Sequence, residues 1–151
     1  MKYKLILDEN AEEEIIVIVH APNALTAKIE DLVLNYSRPD SLIGRKDGEI
    51  RKLSFQEIEC ITVIDRKVIA IDNNGTHYRI QERLRDLENE LPHNFIRINK
   101  STLANEQRIL RFDAAFSAGV DAVFKSGYKE YVSRRCFAQI KRRYENEKDC
   151  R

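Results

Sequence analysis

The apolar and polar positions change period several times along the chain. Lys2–Leu7 and Glu14–Val19 read as two β-strands joined by an acidic turn, Asp8-Glu9-Asn10. Pro22 ends the second and opens a helix. From Ala24 to Tyr36, Leu25, Ile29, Leu32, Val33 and Tyr36 recur at helical spacing, and Arg38-Pro39-Asp40 stops the run. Residues 1–42 therefore read as a β-β-α unit, too small to be stable alone. It is expected to pack on the rest of the protein or on a second copy.

From residue 43 to 151 short strands dominate. Leu42–Lys46 and Glu49–Leu53 flank Asp47-Gly48, the strongest short hairpin signal. Ile58–Ile64 and Lys67–Ile71 form a second hairpin that turns at Asp65-Arg66. Asn73-Asn74-Gly75 is a further turn before a strand at Thr76–Ile80. Arg83–Leu91 is a short helix with Leu84, Leu87 and Leu91 on one face, ended by Pro92. Phe95–Ile98 returns to strand. Gln107–Phe116 and Val120–Lys125 form a long hairpin, and Ser126-Gly127 turns into Tyr128–Val132. Ser133 caps a last helix running to about Glu145, with Cys136, Phe137, Ile140 and Tyr144 on one side. The fold class is mainly β: antiparallel sheets with two or three short helices.

Composition narrows the picture. At 42% hydrophobic and 34% charged, the 151 residues describe a globular protein with a heavily charged surface. The longest apolar run, Ile15–Val19, is far too short to span a bilayer. Met1-Lys2-Tyr3-Lys4 does not open a signal peptide, so a cytoplasmic location is expected. Cys60, Cys136 and Cys150 have no metal-ligand spacing and are expected as reduced thiols, the first two as small core residues. Net charge is only +1, but its distribution is uneven: residues 1–42 carry 4 basic and 8 acidic groups, residues 93–151 carry 13 and 7. A basic face supplied by the C-terminal third follows, with the acidic end pointing elsewhere.

Three clusters carry candidate chemistry. Arg134 and Arg135 directly follow the Ser133 cap, where the helix dipole disfavours each cation by roughly 0.3–1 kcal/mol. An anion arriving there meets two guanidinium groups, free backbone N–H groups and the Ser133 hydroxyl. Asn99-Lys100-Ser101 follows a strand; Asn99 and Lys100 suit purine edges and Ser101 suits a phosphate. Asp65-Arg66-Lys67 is a hairpin tip that composition alone reads as plain surface. Lys141-Arg142-Arg143 reads as a solvated stripe near the helix end, where the dipole favours it.

The pieces also carry a resemblance. Ile58–Ile71 (I-E-C-I-T-V-I-D-R-K-V-I-A-I) is followed by N-N-G-T-H-Y-R-I, by R-L-R-D-L-E-N-E-L-P, and by F-I-R-I-N-K-S-T-L-A-N at Phe95–Asn105. Y-V-S-R-R at Tyr131–Arg135 then opens the last helix. Their order and spacing, over roughly residues 44–147, resemble the LytTR family of bacterial DNA-binding domains. The resemblance implies an elongated arrangement of antiparallel β-sheets with short helices. It implies binding in the major groove by loops at strand ends, usually at paired repeats on bent DNA, and hence a homodimer at least on DNA. Carried over by position, the base-reading residues fall at Arg66, Lys100 and Arg135. Lys67, Asn99, Ser101 and Arg134 are their loop neighbours. Many members have an amide or His where Lys100 and Arg66 stand, so base preference does not transfer. The first 42 residues are too few for the phosphoreceiver domain most members carry, so the chain resembles the small stand-alone regulators. In that subgroup a membrane protein encoded nearby often restrains the regulator.

The expected function is that of a transcription regulator binding double-stranded DNA, without cofactor, metal or small-molecule substrate. The alternative is a protein-interaction module whose acidic N-terminal unit or sheet surface binds a regulatory partner. An enzyme is not expected: His20, His77 and His93 are far apart, no catalytic motif is present, and Glu12-Glu13-Glu14 reads as a charged turn.

Overall fold

Residues 58–62 are all buried and divide between two different cores: Ile58 and Ile61 face one, Cys60 the other, with a register shift between Ile58 and Cys60. A strand apolar on both faces must lie between two covering layers. This strand, β3 (Ile58–Ile64), organises the larger of two compact units into which the chain divides, Met1–Arg38 and Pro39–Arg151. The structure is a computed structural model and describes residues 2–36, 39–115 and 119–149, with backbone alone for Asn35, Ala115, Lys148 and Asp149.

In the larger unit, β1 (Ser41–Lys46), β2 (Glu49–Ser54), β3, β4 (Lys67–Asp72), β5 (His77–Ile80), β6 (Phe95–Asn99) and β7 (Thr102–Asn105) form one sheet, ordered β2-β1-β5-β4-β3-β7-β6. Every neighbouring pair is antiparallel. The β1–β2 hairpin turns at Asp47 and Gly48, both at positive φ, as a two-residue turn requires. Gly44 marks a close approach: a Cβ there would lie 2.7 Å from Leu53 Cδ1 and 2.8 Å from Tyr78 Cβ. Helix α2 (Leu84–Glu90) covers one sheet face with Leu84 and Leu87, against Ile58, Ile61, Phe95 and Leu103. The other face packs on a three-stranded sheet and on the last helix.

That second sheet comprises β8 (Ile109–Ala115), β9 (Gly119–Phe124) and β10 (Lys129–Val132), in the order β10-β9-β8. Helix α3 (Arg134–Asp149) follows it and runs past the expected end at Glu145. The second core joins Cys60, Ile71, Ile98 and Ala104 to Phe124, Val132 and Ile140. Cys136 and Phe137 pack on its edge, as the helical spacing predicts. Burial first, then the neighbouring Glu130 and Glu59 carboxylates, push the Cys60 thiol well up.

Three expectations need correction. Thr102–Asn105, left unassigned from sequence, is strand β7 and wholly buried, polar residues included. Four residues buried on both faces show no alternation. Their polar groups are paired inside: Thr102 with Thr62 Oγ1 at 2.8 Å, and Asn105 Nδ2 donating to Ile58 O at 2.9 Å. The N-terminal strands are the second correction, since residues 2–23 form no ladder. An isolated two-stranded ribbon is marginal in water. Helix α1 (Ala24–Asn35) does form, opened by a capping box in which Thr26 N donates to Asn23 Oδ1 at 3.0 Å and Asn23 N to Thr26 Oγ1 at 2.9 Å. Third, the expected boundary at residue 42 gives way to one at 38, because Ser41 and buried Leu42 already belong to β1. The Arg38 stop signal and the Phe116 end of the long hairpin lie outside the described residues.

One buried carboxylate ties the two sheets. Glu59 on β3 is fully buried and accepts from Ser126 Oγ and, at 3.2 Å, from Ser126 N in the β9–β10 turn. It also pairs with Arg108 at 3.3 Å, just before β8. Glu59→Ala strips Arg108 and Ser126 of this partner inside the protein. It is expected to destabilise the fold by about 3–5 kcal/mol in urea titration. A loss below about 1 kcal/mol would mean that apolar packing alone joins the sheets.

Candidate nucleic-acid interface

Strand pairing sets which turns share an end of the sheet. Thr62 of β3 lies opposite Thr102 of β7, and Val63 N donates to Ser101 O at 3.0 Å. The β6–β7 turn, Lys100-Ser101, is thereby held beside the end of β3. The β3–β4 hairpin projects past it, because β7 stops at Thr102 while β3 runs on to Ile64. At the hairpin tip Asp65 and Arg66 have φ of +50° and +65°. Neither is glycine, so the tip holds two side chains in the left-handed region at roughly 1–2 kcal/mol each. Arg66 and Lys67 are exposed.

The third loop arrives from the other sheet. Ser133 N donates to Ile98 O at 2.8 Å, and Asn99 Nδ2 donates to Tyr131 O at 2.7 Å. These two bonds fasten the β10–α3 junction to the end of β6. The other end of the Asn99 amide accepts from Ser101 N at 2.8 Å, shaping the β6–β7 turn. Arg97 supports that turn from below: its Nη1 donates to Lys100 O at 2.9 Å, while Nη2 pairs with Glu88 at 2.6 Å. The Lys100 side chain is exposed.

Helix α3 starts at Arg134 with no acid in its first turn. Ser133 Oγ accepts from Cys136 N at 3.2 Å, and Phe137 N donates to Ser133 O at 2.9 Å. The cap satisfies one N–H and leaves the hydroxyl proton available. Arg134 and Arg135 are both exposed, with no ion pair among the described residues. Two uncompensated cations thus stand at the positive end of a helix dipole, an arrangement that an arriving anion relieves.

An open concavity of about 900 Å3 runs between these parts. Asn99, Lys100, Ser101, Ser133 and Arg135 line it together, so two of the three sequence clusters share one surface. Arg66, Lys67 and Arg134 are not in its lining; Ile64, two residues before Arg66, is. Both ends of the Asn99 amide also brace loops. Asn105, at the end of the same segment, is a core residue, accepting from Asn94 Nδ2 at 2.8 Å and from Gln107 N at 3.1 Å. Arg143, in the stripe read as solvated, pairs with Glu106 at 3.0 Å.

Sequence reasoning missed Gln139 and Tyr131, both exposed and both lining the concavity. Gln139 lies four residues after Arg135, one turn further along the same side of α3, and that spacing could have found it. Its amide offers the paired donor and acceptor that match an adenine edge. Glu130 is the one acid in the lining; its oxygens accept from Tyr128 Oη at 2.9 Å and Tyr131 N at 3.1 Å.

This geometry, anion-seeking loops at the ends of antiparallel strands, agrees with the comparison to known proteins. The model of the LytTr DNA-binding domain family matches residues 48–145, and the chain belongs to that family. Among its curated relatives is an uncharacterized HTH-type transcriptional regulator of Staphylococcus aureus strain NCTC 8325. The two are 31% identical over 145 residues, 95% of this chain and 97% of the relative. Another, from strain MW2, is 32% identical over 143 residues, 93% of this chain and 97% of its own length. Because these matches span nearly the whole chain, most of the segment ahead of residue 48 has a counterpart in both. The fold is similar to a solved LytTr DNA-binding domain of a Bacillus cereus response regulator. That likeness has a TM-score of 0.63 at 15% identity and covers 69% of this chain and 95% of that one.

The strained tip makes a separable prediction. Arg66→Gly removes the side chain and relaxes a left-handed residue, so it should leave stability unchanged or raise it by up to about 1 kcal/mol. Affinity for duplex DNA should fall in the same protein. Unchanged affinity would remove Arg66 from the interface.

Proposed function

We propose that this protein is a sequence-specific transcription regulator that reads the major groove of duplex DNA with three loops at strand ends. The observation that carries the reading is the convergence of the β3–β4, β6–β7 and β10–α3 turns at one end of the larger unit. Exposed cations sit on each, and two of the turns line one concavity. The cations suit phosphates, and the guanidinium and ammonium groups of Arg66, Lys100 and Arg135 suit guanine O6 and N7. Lys67, Ser101, Ser133 and Arg134 suit backbone phosphates flanking the bases read. Asn99, a candidate contact, also braces the loops. Gln139 extends the reading face one helical turn along α3.

The family membership supports DNA as the ligand, and the relatives' names support control of transcription as the outcome. Paired repeat sites bound by two copies, a restraining membrane-protein partner and a cytoplasmic location belong to the same reading. No helix among the described residues is long and apolar enough to cross a membrane. The reading requires no catalysis.

Binding should weaken steeply with salt, with a log-log slope near −0.9 per phosphate neutralised. Arg135→Ala should cost about 1–3 kcal/mol and relax discrimination at one base pair, measured on sites selected from random duplexes. Equal loss on specific and random DNA would make Arg135 a phosphate contact instead. Undiminished binding after removing Arg66, Lys100 and Arg135 together would overturn the proposal.

A further inference from the structure

The second sheet covers only part of the face it packs on. Strand pairing sets one row across the larger sheet: Ile69 of β4 lies opposite Arg79 of β5, Arg79 opposite Arg45 of β1, and Arg45 opposite Ile50 of β2. Ile69 is half-buried against the second core, and beyond it Arg79, Arg45 and Ile50 are all exposed. Residues two apart on a strand share a face, so Lys67, Ile43 and Lys52 belong to the same side, and they too are exposed. Leu42, Leu53, Ala70 and Tyr78 occupy the opposite side, in the core under α2.

The uncovered face is charged in one sense only. β1, β2, β4 and β5 place four cations on it, Arg45, Lys52, Lys67 and Arg79, and no acid. Arg45 and Arg79 stand directly opposite each other, where like charges destabilise the strand pair. Among the described residues, none of the four has an ion pair or a side-chain hydrogen bond. The other side of the same strands is arranged differently. There Glu49 faces Lys46 across the β1–β2 hairpin, and Arg51 donates to Tyr78 Oη at 2.8 Å. Cations are matched on one side of the ribbon and left unmatched on the other.

We infer that this face is a phosphate-binding flank of the interface, along which one strand of duplex DNA runs beyond the bases that the loops read. The flank rests on the DNA reading of the three loops and lengthens their footprint. Two observations favour a DNA backbone over an acidic stretch of protein, residues 1–38 included. The face is continuous with the loops, because Lys67 stands on it and also follows Arg66 at the β3–β4 turn. Its cations are spread out rather than gathered at one point. From β2 to β4 they span roughly 14 Å at about 4.8 Å per strand, a length over which one DNA strand carries about four phosphates. A second copy of the same face would set cations against cations.

The test is fluorescence anisotropy on the full chain, with a duplex selected from random sequence and an unselected one, over a salt series. Arg45→Ala and Arg79→Ala should each reduce the log-log salt slope by about 0.9. Both duplexes should weaken by a similar factor, so that preference for the selected site is kept. Arg79→Glu sets an acid opposite Arg45, so stability in urea should hold or rise while DNA affinity falls, and misfolding does not account for such a loss. Lys46→Ala removes a charge from the other side of β1 and should leave the slope as it was. Arg135→Ala, measured alongside, reports on the loops. Lost site preference in Arg135→Ala with unaltered slopes in Arg45→Ala and Arg79→Ala would overturn the flank and leave the DNA reading standing. Equal effects of Lys46→Ala and Arg45→Ala would overturn it as well, since net charge alone would then explain both. Tighter DNA binding by Arg79→Glu would assign the face to an acidic protein segment instead. A flat salt dependence in the unaltered protein would overturn the flank and the DNA reading together.

Discussion

Two hydrogen bonds hold the candidate interface together: Asn99 Nδ2 to Tyr131 O, and Ser133 N to Ile98 O. They join the end of a strand in the seven-stranded sheet to the end of a strand in the three-stranded sheet. They link the β10–α3 junction and the β6–β7 turn directly, where the two layers meet. Each such bond contributes only about 0.5–1.5 kcal/mol to stability. What they supply is position, because the Asn99 carbonyl oxygen also fixes the turn that carries Lys100. Asn99, a candidate contact in the sequence, thereby also sets the spacing between the two turns. The packed core shared by Ile98, Val132 and Ile140 keeps those distances from drifting.

Around that brace the chain accepts several local penalties. Arg66 sits in a left-handed conformation at a two-residue turn, whereas the corresponding turn of β1 and β2 uses Asp47-Gly48. Arg134 and Arg135 occupy a helix start that would favour acids, although the chain has 25 acidic residues to draw on. Both departures lie at the same end of the larger unit, while α1 has an ordinary capping box. Strain and unfavourable charge gathered in one place mark a surface shaped for something other than stability. An array of phosphates would relieve the charge term directly.

Much of the architecture was legible because its signals are local. The Asp47-Gly48 hairpin, the Pro92 stop and the Ser133 cap each depend on neighbours within a few residues. β7 was not legible, since its burial and the pairing of Thr102 with Thr62 depend on a strand 40 residues away. The same holds for Asn99, whose partner Tyr131 is 32 residues distant, and for Asn105, which serves carbonyls 47 and 50 residues back. The two N-terminal strands failed for the opposite reason. Their residues have strand-like character, but a pair of segments without a third strand gains too little from its own ladder. At the interface, Arg134 and Arg135 could be argued from helix electrostatics, whereas Arg66 and Lys100 rested on resemblance. Gln139 needed the helix face to be seen against the loops.

The central claim is that turns from two different sheets form one DNA-reading surface. Backbone amide NMR of the full chain, titrated with a duplex site selected from random sequence, tests it most directly. The account predicts shifts concentrated at residues 64–67, 99–101 and 131–139, all saturating together at one DNA concentration. Shifts confined to one of these turns, or centred on α1 or the β1–β2 hairpin, would contradict it.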